Sequence, residues 1–138
     1  MTRRFATLAL IALALAPTPP AMAQTPTVTA VEPTPDERAR QWLTLIDDSN
    51  YTQGIAQMGQ QTRKIDIENL SRLREPLGAM AERNLKEIAL DKRASGLPSG
   101  QYAVVRYQSR FANRTTAIET VTLAMTKAGW TVVRYHVE

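Results

Sequence analysis

Residues 116–137, TAIETVTLAMTKAGWTVVRYHV, constrain this chain more than any other stretch. Both halves alternate β-branched or aromatic residues with polar ones, and they meet at Lys127-Ala128-Gly129. Period-two alternation broken by a glycine-bearing turn predicts a long antiparallel hairpin. Upstream, residues 102–111 (YAVVRYQSRF) alternate in the same way, and residues 112–115 separate them from the hairpin as a turn. Residues 95–100 (SGLPSG) form a dense turn cluster before that strand. Residues 83–92 (RNLKEIALDK) fit either a helical extension or a first strand.

The region before the strands has a helical period. Thr34, Pro35 and Glu37 make a capping box with proline at the first helical position. Ala39, Trp42, Leu43 and Ile46 then recur on one helical face, with Trp42 expected in the core. A second helix is expected from Asn50, short and irregular, with Tyr51, Ile55, Met58 and Thr62 on one face. Its Gly54 and Gly59 each weaken a helix by ~1 kcal/mol relative to alanine. Asp66 caps a third, whose buried stripe is Ile67, Leu70, Leu73 and Leu77, with Arg72 and Arg74 pointing away. Pro76 ends that helix near Glu75, before Gly78. Three N-terminal helices followed by about four strands joined by short turns predict an α+β domain, with the helices folded back over one face of a curved antiparallel sheet.

The first residues belong to a different class. Arg3 and Arg4 precede an apolar run over residues 5–16, too short to span a bilayer, which takes ~20 apolar residues. Prolines follow, then Ala21-Met22-Ala23 before Gln24. The pattern is that of a secretory signal peptide over residues 1–23, cleaved after Ala23, which places the protein in the periplasm or outside the cell, with no membrane insertion after cleavage. Residues 24–33, rich in Thr and Pro, read as a disordered linker, leaving residues 34–138 as a single domain. The chain has no cysteine, which removes disulfides, thiolate metal sites and cysteine nucleophiles. Arg3 and Arg4 would leave with the signal, so 17 basic residues become 15 against 13 acidic ones. So slight an excess does not make the dense basic face of a nucleic-acid binder. No phosphate-loop, dinucleotide or zinc-protease motif occurs, and no cofactor or metal is expected.

A register assigns sides to the strands. Pairing Met125 with Trp130 sets Leu123 opposite Val132, Val121 opposite Arg134 and Glu119 opposite His136. Pairing Phe111 with Thr116 sets Arg106 opposite Val121 and Gln108 opposite Glu119. One face then carries Val105, Tyr107, Phe111, Ile118, Thr120, Thr122, Val133, Tyr135 and Val137, expected under the helices. The reverse face splits in two. Tyr102, Val104, Leu123, Met125, Trp130 and Val132 form an apolar half, either a partner or self-association interface or a patch buried under a curled sheet. Arg106, Gln108, Arg110, Glu119, Arg134 and His136 form a charged half. There Arg106, Glu119, Arg134 and His136 make either a polar binding cluster or a solvated face with cross-strand ion pairs. A one-residue slip in either turn exchanges the faces.

Several phrases resemble one family: WLTLIDDSNY at residues 42–51, REPLGAMAERNL at 74–85, GQYAVVRYQSRFANR at 100–114, and AIETVTL with GWTVVRYHV across 117–137. Together they are similar to the bacterial domain-of-unknown-function 4019 family, over nearly all of residues 35–138. Only residues 54–61 (GIAQMGQQ) depart, lacking the aromatic stretch of that family. The resemblance implies a small exported protein with a cystatin-like or NTF2-like α+β roll, and it transfers no catalytic residue. The first reading is therefore a non-enzymatic binding or protein-interaction domain acting through the apolar half. The alternative is a small-molecule pocket, possibly enzymatic, with Glu119 or His136 as acid or base and Arg106 and Arg134 holding an anion.

Overall fold

The computed structural model describes residues 16–23, 29–59 and 65–138. Most of the expected signal peptide (residues 1–15), half of the linker (24–28) and Thr62 lie outside the described residues. Val31–Glu138 form one compact unit. Among the described residues, no helix is long and apolar enough to cross a membrane.

Helix α1 (Pro35–Asp47) starts at the expected capping box: the Thr34 side chain accepts from the Glu37 amide, and the Glu37 carboxylate accepts from the Thr34 amide at 2.7 Å. Its buried face is Ala39, Trp42, Leu43 and Ile46, as the period predicts. Helix α2 (Tyr51–Ala56) is a single short piece. Gly54 has a packing role there, because a Cβ at this position would lie 2.6 Å from Ile46 Cδ1. This close approach lets the Trp42 indole N–H donate to the Gly54 carbonyl at 2.8 Å. Helix α3 (Ile67–Arg74) is capped by Asp66 and passes into a 3-10 turn, Glu75–Leu77, at Pro76. Gly78 then reverses the chain at a φ of 77°, a conformation that disfavours a side chain.

Four antiparallel strands follow in sequence order: β1 (Met80–Asp91), β2 (Tyr102–Phe111), β3 (Arg114–Thr126) and β4 (Gly129–Val137). Among the described residues, three α-helices and a four-stranded antiparallel meander make the α+β class. Residues 83–91 are thus strand rather than helix, and Lys92 begins the turn. One buried cluster joins Trp42, Leu43, Ile46, Tyr51, Leu70 and Leu77 of the helical segment to Val105, Tyr107, Phe111, Val121, Leu123 and Tyr135 of the sheet.

The register differs from the sequence expectation at two places. Met125 pairs with Trp130 and Leu123 with Val132, as expected, but an extra residue on β4, Val133, then shifts the ladder. Val121 meets Tyr135 and Glu119 meets Val137. Between β2 and β3 the turn is tighter than expected, with Phe111 opposite Arg114. A bulge on β3 restores one residue, and the net slip of one sets Tyr107 opposite Glu119 and Arg106 opposite Thr120. A slip of one residue turns a strand over. In β3, Ala117, Glu119, Val121 and Leu123 therefore face the helices, not Ile118, Thr120 and Thr122. The Val133 bulge does the same for Val132, while Tyr135 and Val137 keep their expected side.

Candidate functional site

The slip carries a carboxylate into the core. Glu119 is 0% exposed, and four elements supply partners for it. From α3, Arg74 donates Nη1 to Glu119 Oε1 at 3.2 Å. From β1, Arg83 donates Nε to Oε2 at 2.7 Å and Nη2 to Oε1 at 3.0 Å. The neighbouring strands add hydroxyls: Tyr135 donates to Oε1 at 2.8 Å and Ser109 donates to Oε2. Asp47, at the end of α1, accepts from the same two arginines, at 2.6 Å from Arg74 and 2.7 Å from Arg83. Two guanidiniums and two carboxylates make a neutral quartet tying α1, α3, β1 and β3 together. Arg74 also lies over the Phe111 ring, 4.4 Å from its centre.

Burial works to raise the Glu119 carboxyl pKa, but the hydrogen bonds and charge of Arg83, with the Ser109 and Tyr135 hydroxyls, outweigh it and hold the group below the usual carboxylate range. Arg83 responds in the opposite direction. Burial works against its charge, yet Asp47 and Glu119 carry it above the ordinary guanidinium value. Burial and the adjacent Glu119 charge together push the Tyr135 phenol well above its normal value. An ionised, saturated carboxylate beside permanently charged arginines has no proton to give and no lone pair to offer a substrate. The quartet thus fixes geometry. An open depression of about 340 Å³, lined by Ile46, Asp47, Ser49, Tyr51, Arg74 and Glu75 among others, lies against its outer edge.

The proposed polar cluster is divided by the sheet. Glu119 faces the helices, whereas Arg106 and His136 line a shallow hollow of about 450 Å³ on the reverse side, with Lys86, Glu87, Ile118, Thr120 and Glu138. Arg106 there pairs with Glu87 at 2.8 Å, and His136 stands 3.9 Å from Glu138. Arg134 instead donates to the Ser95 carbonyl at 2.6 Å, pinning the β1–β2 loop. The acid, the imidazole and the two arginines therefore do not line one concavity.

The apolar six are likewise separated. Leu123 and Val132 lie in the main core, with Trp130 packed partly against it. Tyr102 is buried on the reverse face with Ala124 and Val133, beneath Ala94 and Leu97 of the β1–β2 loop, and its hydroxyl donates to the Pro98 carbonyl. Val104 is half-buried, and Met125 is exposed at the end of the sheet. On this reverse face, burial under a segment of the same chain is what is found. Trp130 borders two open depressions on the sheet. One, about 390 Å³, lies between α1 and β4 beside Arg38, Gln41, Trp42 and Gln57. The other, about 410 Å³, has Leu90 and Gln101 opposite it.

Sequence reasoning missed Asp47, Arg74, Arg83, Ser109 and Tyr135 as one constellation. It also missed the apolar row on β1. In the observed register Leu85 faces the same side as Tyr107, Ile88 the same side as Val105, and Leu90 the same side as Ala103. This is the helix side, yet Leu85 is 42% exposed, Ile88 43% and Leu90 72%. Arg83 is tied to the helical layer through Asp47, and the large apolar residues beyond it on this side are exposed. Among the described residues, no cluster of histidine or carboxylate side chains has the grouping of a metal site.

The family model for proteins of unknown function DUF4019 matches residues 38–135, from the first turns of α1 to the end of β4. The chain belongs to this family. No curated protein and no solved structure matches it. The match spans Asp47, Arg74, Arg83, Glu119 and Tyr135, so the whole quartet lies within the DUF4019 region.

Proposed function

We propose that this DUF4019 protein is an exported, non-enzymatic interaction domain whose contact surface is the helix-side face of strand β1. The carrying observation is that Leu85, Ile88 and Leu90 sit side by side on a strand at the end of the sheet order, on the face that elsewhere makes the core, and are nevertheless exposed. Three large aliphatic side chains in a row are an unusual thing for a soluble domain to expose. Among the described residues, their strand also has one side without a sheet partner. Met125 and Trp130 extend the apolar area at the end of the sheet. Export is supported by the basic and apolar segments ahead of Ala23. Helices over one face of an antiparallel meander also suit the roll architecture that the family resemblance implies.

A photo-crosslinking residue placed at Ile88 tests this in living cells. An adduct is expected from position 88 and none from Glu37, which lies on the exposed side of α1. A clean monomer band from both positions would remove the reading. Sequencing the amino terminus of the same purified protein should begin at Gln24.

A further inference from the structure

We infer that the occupant of the β1 edge is a second copy of this chain, docked antiparallel through β1 about a two-fold axis centred on Lys86 and Glu87. The inference rests on the interaction reading above and names its partner. Antiparallel pairing of two identical strands requires residues equidistant from the axis to face the same side. In a regular strand, Leu85 and Ile88, three apart, would face opposite sides. The ladder with β2 shows a register shift between Leu85 and Glu87, with Lys86 as the extra residue. That bulge brings Leu85 and Ile88 to the same side, which makes the edge self-complementary.

Centred there, Leu85 of each copy faces Ile88 of the other, Asn84 faces Ala89, and Leu90 lies opposite the aliphatic stem of Arg83. On the reverse face Lys86 and Glu87 line the same hollow, so Lys86 of each copy meets Glu87 of the other. Apolar residues oppose apolar ones on one side, and unlike charges oppose each other twice on the other. The like-charged pairing, Glu82 opposite Asp91, also occurs twice, and in each copy Arg110 is bonded to Glu82 at 3.0 Å. Centring the axis on Ile88 instead would also join aliphatic residues, but it would set Glu87 opposite Ala89 and leave the charges unmatched. The ion pairs therefore select the register. The bulge and the lysine, which blunt an edge toward arbitrary strands, leave this one partner admissible. The product is a continuous eight-stranded sheet with both helical layers on one side.

The test is sedimentation velocity on protein purified from cells expressing the full chain, with circular dichroism to confirm the fold. Wild type should be a dimer. Lys86→Glu and Glu87→Lys should each weaken it roughly thirtyfold, because two attractive cross-strand pairs become repulsive. The double variant Lys86→Glu/Glu87→Lys, again complementary, should recover the dimer. A folded wild-type monomer overturns the inference, and so does a dimer indifferent to charge reversal. If the Ile88 adduct has a mass other than twice the chain, the second copy is wrong while the interaction surface stands. If there is neither adduct nor dimer, both fall.

Discussion

Replacing Glu119 with glutamine keeps the shape of the side chain and removes its charge. Two arginines, Arg74 at 4% exposed and Arg83 largely buried, would then share Asp47 as their one remaining carboxylate. One of the two Glu119 oxygens becomes an amide NH2. If it is Oε2, it points a donor at Arg83 Nε–H, 2.7 Å away, which cannot turn to accept. Removing one partner of a buried ion pair costs about 3–5 kcal/mol, because the surviving charge stays buried and uncompensated. Domains of this size have about 5–15 kcal/mol in total. Each kcal/mol moves the midpoint by roughly 4–8 °C in a domain of about 100 residues, so Glu119→Gln should lower Tm by at least ~12 °C.

The assay is urea and thermal unfolding followed by circular dichroism and by the fluorescence of the core residue Trp42. The control is Glu82→Gln, which breaks the exposed pair with Arg110 and should leave the midpoint in place. The pH dependence provides an independent check. The folded Glu119 pKa is depressed, so its contribution is complete above the ordinary carboxyl value, about 4.5, and is lost as pH falls below that through the folded value. Glu119→Gln should therefore flatten the acid limb of the stability profile as well as lower its plateau. A loss below about 1 kcal/mol, with the acid limb unchanged, would refute the view that the quartet holds the fold together.

Four further outcomes are expected. Tyr107 and Tyr135 have raised pKa values, from burial first and then from Asp36 and Glu119 respectively; their stability contribution is present below about pH 10 and is lost as pH rises through the folded values. Absorbance at 295 nm should show these two phenols ionising only as the protein unfolds, and Tyr135→Phe should remove one of them from that late step. Gly78→Ala should cost about 1–2 kcal/mol in urea unfolding, because the backbone φ is 77° and a Cβ would lie 3.0 Å from the Asn113 side-chain nitrogen; an unchanged midpoint would contradict this. A crosslinker at Ile88 should yield an adduct where one at Glu37 does not. Swapping Lys86 and Glu87 together should restore a dimer that either change alone disrupts.

What could be read from the sequence was what depends on local chemistry. Thr34-Pro35-x-Glu37 marked the start of α1, its 3.6-residue period named Ala39, Trp42, Leu43 and Ile46 as the buried face, and Pro76 with Gly78 marked the end of α3. The four-stranded meander followed from alternation and turns. The faces were lost because register depends on single residues: a two-residue turn in place of four, and bulges at β3 and at Val133. Those shifts moved Glu119 from an imagined surface cluster into the core. Arg74 was misread for a related reason. On a helix of eight residues the stripe that reaches the sheet is short, so Leu70 and Leu77 flank a buried arginine, while Ile67 and Leu73 remain exposed. One signal was available. Glu119 interrupts an otherwise apolar alternation in which Ser109 and Tyr135 also stand, and a carboxylate on a buried face requires cations.

Arg83 of the quartet stands on the same strand as the β1 edge, and this links stability to presentation. Arg83 is where β1 is bolted to the helical layer, through Asp47 of α1 and Glu119 of β3. Beyond Arg83, exposure rises along Leu85, Ile88 and Leu90. A strand fixed at one end by charge-assisted hydrogen bonds and zipped to β2 along its length keeps its register, and with it the side on which its apolar row stands. An edge that slipped by one residue would turn Leu85 and Ile88 toward the charged face and separate Lys86 from its complement. A buried ion network adds little stability compared with a well-packed apolar core, but it distinguishes strongly between registers, since each wrong one buries an unpaired charge. That discrimination is what a self-complementary edge requires. It also dictates where the edge can be tested: changes at Lys86, Glu87 and Ile88 address docking, whereas a change at Arg83 would loosen the anchor and the edge together.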